Sequence, residues 1–469
     1  MSVLNEFREA IATHQRKDDE AFDEQIALPL EERVAKGVTM SNVKVEFGFH
    51  FDAPNPWCPN IEFPLQFIKS AKVFCENNIS KFREGSQVVL SGHGVSFKMD
   101  IVEDTVDNFI LAPNNFEVKH CFLDSQDYNQ NNWEINVVKT DLTLKLLSAA
   151  AGSLENDSLR LERIEKLLSG QLQNDSISDL QYSELNPSQN GAVEKAVNSA
   201  NFHLIQGPPG TGKTKTIAHI AKILLESGKK VLVTAPTHTA INNCLNAIAS
   251  EVKDSSKVVK IGEKHQATEI LGNNYITRKT RLPLDRYEMS SDLSNEGIII
   301  GSTAYGMCYP ASKRLNYWEF DVALVDEAAQ MSIPLAVAVM SKSDKFIFVG
   351  DHKQLDPIIP SGTGLSMFSE SVFSRLVRLY PNDKSLLNIT YRLNEQLLRV
   401  PNSLFYDDRL LSDSSLEMHN QKFESSNFSE VLNHQDAKIL YLHQVFDAQG
   451  RSPHEAGIVA ELVKNLISN

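Results

Sequence analysis

Two kinds of hydrophobic pattern divide this chain of 469 residues. Between about 40 and 140, apolar residues recur at every second position, as in Val95–Ile101. Such alternation is typical of strands with one buried face, and the clusters of Gly, Pro and Asn between them indicate turns. Residues 41–140 are therefore predicted to form a small antiparallel β-barrel or sandwich. Further short strands are expected at 88–90, 109–111 and 135–138.

Helical patterns flank this segment on both sides. Residues 1–40 carry Leu4, Phe7 and Ile11 at helical spacing, and a helical stalk is predicted there. Stalk helices are also predicted within 141–184, at 141–150 and 158–168, with Asp157 as the N-cap of the second.

From 185 to 384 the pattern becomes alternating strand and helix. Several of the strands are continuous apolar runs, as strands buried on both faces should be. This predicts an α/β fold with a doubly wound parallel sheet. The strands are expected at 202–206, 231–235, 258–262, 297–302, 320–326 and 346–350.

A second block of the same type is predicted at 385–469. It opens with an apolar run at Leu386–Ile389, and its last helix begins at the capping box of Ser452–Glu455. A domain of this type takes on the order of 100–150 residues. The block has only 85 residues (385 to 469), so we expect the second lobe to be incomplete.

Composition narrows the class of protein. The net charge of −14, from 46 basic and 60 acidic residues, argues mildly against nucleic-acid binding, although a basic groove can lie on an acidic protein. No apolar stretch reaches the length of a membrane span, and the first residues lack a signal core. The five cysteines form no C-x-x-C pair, which argues against zinc or disulfides and for a reducing, cytoplasmic location.

One segment matches the phosphate-binding pattern G-x-x-x-x-G-K-[ST], between a short apolar run and an amphipathic helix. Glycines let backbone N–H groups turn inward around phosphates, and the helix adds its positive end. Lys213 would reach the β- and γ-phosphates and the Thr214 hydroxyl would ligate Mg²⁺. An ATP or GTP site is predicted; the alternative is a glycine-rich turn without a ligand. The loop comprises Gly207, Pro208, Pro209, Gly210, Thr211, Gly212, Lys213 and Thr214.

Polar residues follow other predicted strands, where ligands collect in doubly wound sheets. Asp326 would hold Mg²⁺ and Glu327 would orient and deprotonate the attacking water; the alternative is an acidic strand end in solvent. Gln354 is a candidate sensor of the γ-phosphate, although alone it would be an ordinary loop amide. Arg392 could stabilise transition-state charge from the second block, although such an arginine is usually a solvated cation.

Taken in order, GPPGTGKT, DEAAQ (326–330), GDHKQLDPI (350–358) and TYRLNEQLLRVPNSLFY (390–406) resemble superfamily 1 helicases. The likeness is to the branch of the nonsense-mediated-decay RNA helicase and the immunoglobulin-mu-binding helicase. Two further segments are similar to its adenine-reading and strand-contacting motifs: Leu185–Gln189 and Ala235–Asn242. The resemblance covers about 185–410 and, less closely, the stalk and barrel at 25–180.

The resemblance implies two RecA-like lobes that bind ATP and Mg²⁺. It implies that Gln189 reads the adenine edge, that Tyr391 stacks on the base, and that Gln354 and Arg392 act on the γ-phosphate. Contacts to the nucleic-acid backbone are implied for Pro236, Thr237, Ser302 and Thr303, of which the last two could equally form a simple strand-end turn. Thr390 replaces the usual glutamine, and the family's later motifs have no counterpart before Asn469.

The resulting hypothesis is an ATP-dependent motor that moves on single-stranded RNA or DNA. The resemblance alone implies 5′-to-3′ movement, and activity is expected to be weak or absent in this chain. One alternative is an ATP-binding scaffold for nucleic acid or protein, with a protein partner supplying the rest of the second lobe. Another is a P-loop ATPase that acts on protein.

Overall fold

The computed structural model describes most of the β-rich segment and most of the α/β segment that follows it, with gaps inside both. The described residues are 3–51, 66–75, 80–82, 86–104, 108–113, 130–138, 142–261, 275–276, 297–308, 318–355, 370–416 and 452–467. Within these ranges, none of the helices is both long and apolar enough to cross a membrane.

The alternating segment folds as a closed barrel of six antiparallel strands, in the order β1-β2-β5-β4-β3-β6. Its inward positions form a separate core around Trp133, which packs edge-on against Phe47. The predicted barrel is therefore confirmed. The strands are β1 Thr39–Phe51, β2 Gln66–Phe74, β3 Gln87–Gly92, β4 Val95–Asp104, β5 Asn108–Pro113 and β6 Trp133–Val137.

Four helices flank the barrel in sequence. The carboxylate of Asp157 accepts a 3.0 Å hydrogen bond from the Arg160 backbone, which confirms this N-cap. The buried Arg160 guanidinium then pairs with Glu319 and Asp344, and so fixes its helix to the following sheet. The helices are α1 Val3–Ala27, α2 Leu30–Ala35, α3 Leu142–Glu155 and α4 Ser158–Ser169.

The second region is a parallel sheet of eight strands, in the order β10-β9-β11-β8-β12-β13-β7-β14. This confirms the predicted doubly wound, RecA-like fold. The strands are β7 Phe202–Gln206, β8 Lys230–Thr234, β9 Val258–Ile261, β10 Tyr275–Ile276, β11 Ile298–Gly301, β12 Phe320–Val325, β13 Ser343–Gly350 and β14 Lys384–Leu386.

Side chains of these strands enter two separate cores, because successive residues point to opposite faces of a sheet. Phe346 and Phe348 pack with helices α3 and α4, whereas Ile347 and Val349 belong to the other core. The stalk helices thus cover one face of the sheet. The remaining helices of this region are α5 Pro187–Asn198, α6 Lys213–Glu226, α7 His238–Glu251, α8 Ala304–Cys308, α9 Ile333–Met340 and α10 Val372–Leu379.

The strand expected at Leu386–Ile389 is divided between two sheets. Lys384–Leu386 pairs with β7 at the edge of the first sheet, because that edge offers unpaired backbone groups. The run therefore begins in the first sheet, and its last residue opens a separate sheet, since β15 (Ile389–Thr390) pairs with β16 (Leu411–Ser412). The predicted start of the second block near 385 stays a prediction. Two further helices are α11 Glu395–Phe405 and α12 Pro453–Ile467.

Candidate functional site

The phosphate loop connects β7 to α6 at the carboxyl edge of the sheet. Gly210 and Gly212 have φ angles of 75° and 80°, a left-handed conformation that favours glycine. The Lys213 ammonium donates a 2.9 Å hydrogen bond to the Gly207 carbonyl, so it lies folded over the loop. A cleft of about 400 Å³ opens here, and its lining comprises Pro208, Gly210, Thr211, Gly212, Lys213, Thr214, Glu327, Tyr391 and Arg392.

The two predicted carboxylates end strand β12 beside this loop. Asp326 is buried, and burial raises the pKa of its carboxyl. Its Oδ2 atom accepts a 3.2 Å hydrogen bond from the Cys244 thiol, whereas no donor among the described residues reaches Oδ1. A buried carboxylate oxygen without a partner fits a divalent cation, and Mg²⁺ is often held by only one or two carboxylates. The residues present therefore fit the predicted Mg²⁺.

Glu327 occupies the wall of the cleft in an unusual backbone conformation. Its φ angle is 50°, a left-handed value that costs energy for a residue with a side chain and occurs preferentially at active sites. One carboxylate oxygen accepts a 3.3 Å hydrogen bond from the Gln330 amide. The Glu327 carboxylate therefore lies in the same cleft as Lys213 and Thr214 of the phosphate loop.

The start of the second block lies directly on the phosphate loop. The Thr390 hydroxyl donates to the Pro209 carbonyl at 2.9 Å, and the Tyr391 backbone donates to the Gly210 carbonyl at 2.8 Å. A Cβ atom at Gly210 would come within 2.3 Å of the Arg392 Cβ. These contacts bring Tyr391 and Arg392 to the predicted nucleotide site, from a segment far away in sequence.

The candidate adenine-reading residue is engaged with the protein itself. Gln189 is buried and forms a capping box with Asn186 at the start of α5. Its amide donates a 3.0 Å hydrogen bond to the Thr211 carbonyl of the phosphate loop. Asn186 in turn donates to the Tyr391 hydroxyl at 2.9 Å. The two residues predicted to hold the base are therefore neighbours, and one donor of the Gln189 amide is already bonded to the phosphate loop.

Gln354 is exposed and is not among the residues that line the cleft. Its amide donates to Asp351 Oδ2 at 2.9 Å. The buried Asp351 also accepts from Gln206 at 3.1 Å and from the Tyr406 hydroxyl at 2.7 Å. Sequence reasoning missed Asp351 and Tyr406, although both lie within the quoted motifs and Asp351 directly follows a buried strand.

The four candidate nucleic-acid contacts differ in exposure. Pro236 and Thr237 are exposed, and the Thr237 hydroxyl caps α7 by accepting from the Ala240 backbone. Ser302 and Thr303 are buried, and their hydroxyls are bonded within their own turn. In this conformation only the first pair is accessible to a nucleic-acid strand.

Comparison with known proteins adds family relationships. Two family models, each described as an AAA domain, match the chain: one over residues 184–282 and 272–362, the other over 368–469. The chain is 32% identical over 230 residues to the DNA replication ATP-dependent helicase/nuclease DNA2 of Saccharomyces cerevisiae. That match covers 48% of this chain and 14% of the relative.

The chain is also 26% identical over 376 residues to an uncharacterized ATP-dependent helicase of Methanocaldococcus jannaschii, covering 60% of this chain and 55% of the relative. Among solved structures, an arterivirus nonstructural protein 10 (helicase) matches 82% of this chain and 61% of its own, with 12% identity and a TM-score of 0.34. The chain spans less than a quarter of the length of the DNA2 relatives that it matches.

Proposed function

We propose that this chain, which matches two AAA-domain family models and is similar to ATP-dependent helicases, is a superfamily 1 helicase motor that couples ATP hydrolysis to movement along single-stranded nucleic acid. One observation carries the proposal. The phosphate loop, Glu327 of the first sheet and Arg392 of the second block line a single cleft. An ATPase that converts hydrolysis into motion needs such a site between two bodies, so that the bound phosphates hold the bodies together.

In this proposal, Lys213 leaves the Gly207 carbonyl and binds the β- and γ-phosphates. Thr214 and Asp326 hold Mg²⁺, which when bound neutralises charge on the phosphate oxygens. Glu327 orients the attacking water and takes its proton. Arg392, held at the loop by the contacts of Thr390 and Tyr391, stabilises the charge of the transition state.

Recognition of the base falls to Gln189 and Tyr391, which are linked through Asn186. Gln354 lies outside the cleft, so its action on the γ-phosphate requires its amide to leave Asp351. This dependence makes Gln354 a candidate for reporting nucleotide binding to the second block, because Asp351 is shared with Tyr406.

Pro236 and Thr237 are proposed to contact the nucleic-acid backbone, since both are exposed at the carboxyl edge of the sheet. Ser302 and Thr303 stay predictions, because both are buried and the Ser302 hydroxyl already donates to the Thr303 carbonyl. Relatives named for DNA replication favour single-stranded DNA as the substrate. The proposed polarity is 5′ to 3′.

The test is ATP turnover by wild type and Lys213→Ala, with and without a single-stranded DNA or RNA oligonucleotide. We expect DNA to stimulate wild-type turnover more than RNA, and Lys213→Ala to abolish stimulated turnover. Lys215→Ala, an exposed lysine two residues further along the same helix, is the matched control and should leave turnover unchanged. Unchanged turnover in Lys213→Ala would contradict the site, whereas turnover that ignores both strands would contradict the nucleic-acid motor.

A further inference from the structure

The Cys244 thiol and the Asp326 carboxylate meet in the interior of the first lobe. Cys244 is fully buried, and Asp326 is only 5% exposed. The thiol donates a 3.2 Å hydrogen bond to Asp326 Oδ2. The pair forms because Asp326 follows β12, whereas Cys244 lies two turns into α7, the helix that follows the neighbouring strand β8.

The two oxygens of the Asp326 carboxylate have different partners. Oδ2 is occupied by the thiol, while Oδ1 has no donor among the described residues although it is buried. Leaving a buried charged oxygen without a partner is costly, unless a ligand satisfies it. The bare oxygen is therefore the one available to a cation or to its bound water, and the thiol bond limits how the carboxylate can rotate.

Resting on the proposed function, we propose that Cys244 is a positioning residue for the divalent cation of the ATP site. It holds the Asp326 carboxylate by one oxygen and leaves the other for the cation. Groups that hydrogen-bond to a metal ligand without touching the metal fix the orientation of that ligand, and their loss lowers metal affinity. The same bond connects the cation site to α7, whose N-cap is the exposed Thr237.

The simpler alternative is that Cys244 only fills space in a core that also contains Leu245 and Ile248. Two substitutions separate these roles. Cys244→Ser retains a hydrogen-bond donor at this position, whereas Cys244→Val retains an apolar side chain and removes the donor. Ile241→Val, a buried change on the same helix, is the packing control.

The experiment measures binding of a non-hydrolysable ATP analogue by calorimetry, in EDTA and across a Mg²⁺ titration. We expect Cys244→Val to need roughly 10-fold more Mg²⁺ for the same gain in affinity, a loss at the lower end of those seen when such partners are removed. Cys244→Ser and Ile241→Val should stay within about 2-fold of wild type, on the scale of an intact hydrogen bond. Binding in EDTA should be the same in all four proteins.

A Mg²⁺ requirement that is unchanged in Cys244→Val would overturn the inference and leave the proposed function intact. Equal losses in the serine and valine variants would also overturn it, because packing would then explain both. Wild type that binds the analogue without any Mg²⁺ dependence would instead contradict the proposed ATP site itself.

Discussion

The hydroxyl of Tyr406 donates a 2.7 Å hydrogen bond to Oδ2 of Asp351. Asp351 follows strand β13 of the first sheet, whereas Tyr406 directly follows helix α11 of the second block. Both side chains are buried, and burial beside the carboxylate raises the pKa of Tyr406, which keeps the hydroxyl protonated as a donor. The bond therefore joins the first sheet to the second block of the proposed motor.

Replacing Tyr406 with phenylalanine should lower the free energy of unfolding by about 2 kcal/mol, because a buried bond to a charged acceptor is lost. We also expect a lower nucleic-acid-stimulated turnover, since Asp351 would then keep its bonds to Gln206, Gln354 and the Lys353 backbone but lose its bond to the second block. Urea unfolding and ATPase assays measure the two effects separately.

A matched control is Tyr380→Phe, which removes another buried hydroxyl that donates to the Lys166 carbonyl at 3.0 Å. Tyr380 belongs to the core beneath α4, outside the cleft. This variant should lose stability but keep its turnover per folded molecule. If the two variants lose turnover equally, the bond between Tyr406 and Asp351 has no special role in coupling.

Glu327→Gln should separate binding from hydrolysis. The amide keeps the shape of the side chain but cannot accept the proton of the attacking water, so turnover should fall by about 10²- to 10⁴-fold. Affinity for a fluorescent ATP analogue should stay within about 2-fold, because Lys213 and the loop are intact. Glu395→Gln, an exposed change in the second block, should alter neither quantity. Turnover near that of wild type would remove Glu327 from its proposed role.

Gly210→Ala should disrupt the contact between the phosphate loop and the second block. Its φ angle is 75°, and a new Cβ would lie 2.3 Å from the Arg392 Cβ and 2.9 Å from the Thr390 hydroxyl oxygen. We expect a loss of about 1–3 kcal/mol in stability and weaker nucleotide binding, because both the backbone and the contact become strained.

The matched change is Gly191→Ala in helix α5, where a Cβ would meet no atom within 4 Å. Alanine is the better helix former, so this variant should gain roughly 0.5–1 kcal/mol. Thermal unfolding and analogue binding compare the two. Equal behaviour of both alanine variants would show that the loop does not need its left-handed glycine.

The free energy of unfolding should decrease as the pH is lowered, because of His203. Burial lowers the pKa of His203 to about 3, and its Nε2 lies 2.9 Å from the Ser385 hydroxyl. The unfolded histidine, with a pKa of about 6.5, binds a proton that the folded one excludes. Stability is therefore complete above pH about 6.5 and declines by roughly 1.4 kcal/mol per pH unit toward pH 3.

Urea unfolding at several pH values between 7 and 4 measures this slope. His203→Gln retains a partner for Ser385 but cannot titrate, so its slope should be smaller by about one proton. A slope identical to that of wild type would assign the pH dependence to other groups.

Local signals predicted much of the architecture. The alternation from Val95 to Ile101 predicted a strand with one buried face, and the continuous apolar runs predicted strands buried on both faces. Both expectations are confirmed. Asp157 was identifiable as an N-cap because it directly precedes the helical pattern at 158–168, and the bond from the Arg160 backbone confirms it. The spacing of the phosphate loop likewise requires its residues to lie around one turn.

Other features depend on contacts between distant residues, which periodicity does not reveal. The bonds of Asp351 to Tyr406 and of Cys244 to Asp326 join positions 55 and 82 residues apart. The division of the apolar run Leu386–Ile389 between two sheets also has a long-range cause. It depends on β14 pairing with β7 and on β15 pairing with β16. For Cys244, no signal in the sequence could have distinguished a positioning thiol from an ordinary core residue.

The placement of β14 at the edge of the first sheet has a mechanical consequence. Leu387 still bonds to the Gln206 carbonyl, and Asn388 to the Ser188 hydroxyl, so the chain is anchored almost until Ile389. In the proposed motor, rotation of the second block would therefore pivot at Leu387 and Asn388, beside the phosphate loop. Arg392 lies only a few residues beyond this pivot and would move a short distance, whereas residues farther along the second block would move a longer one.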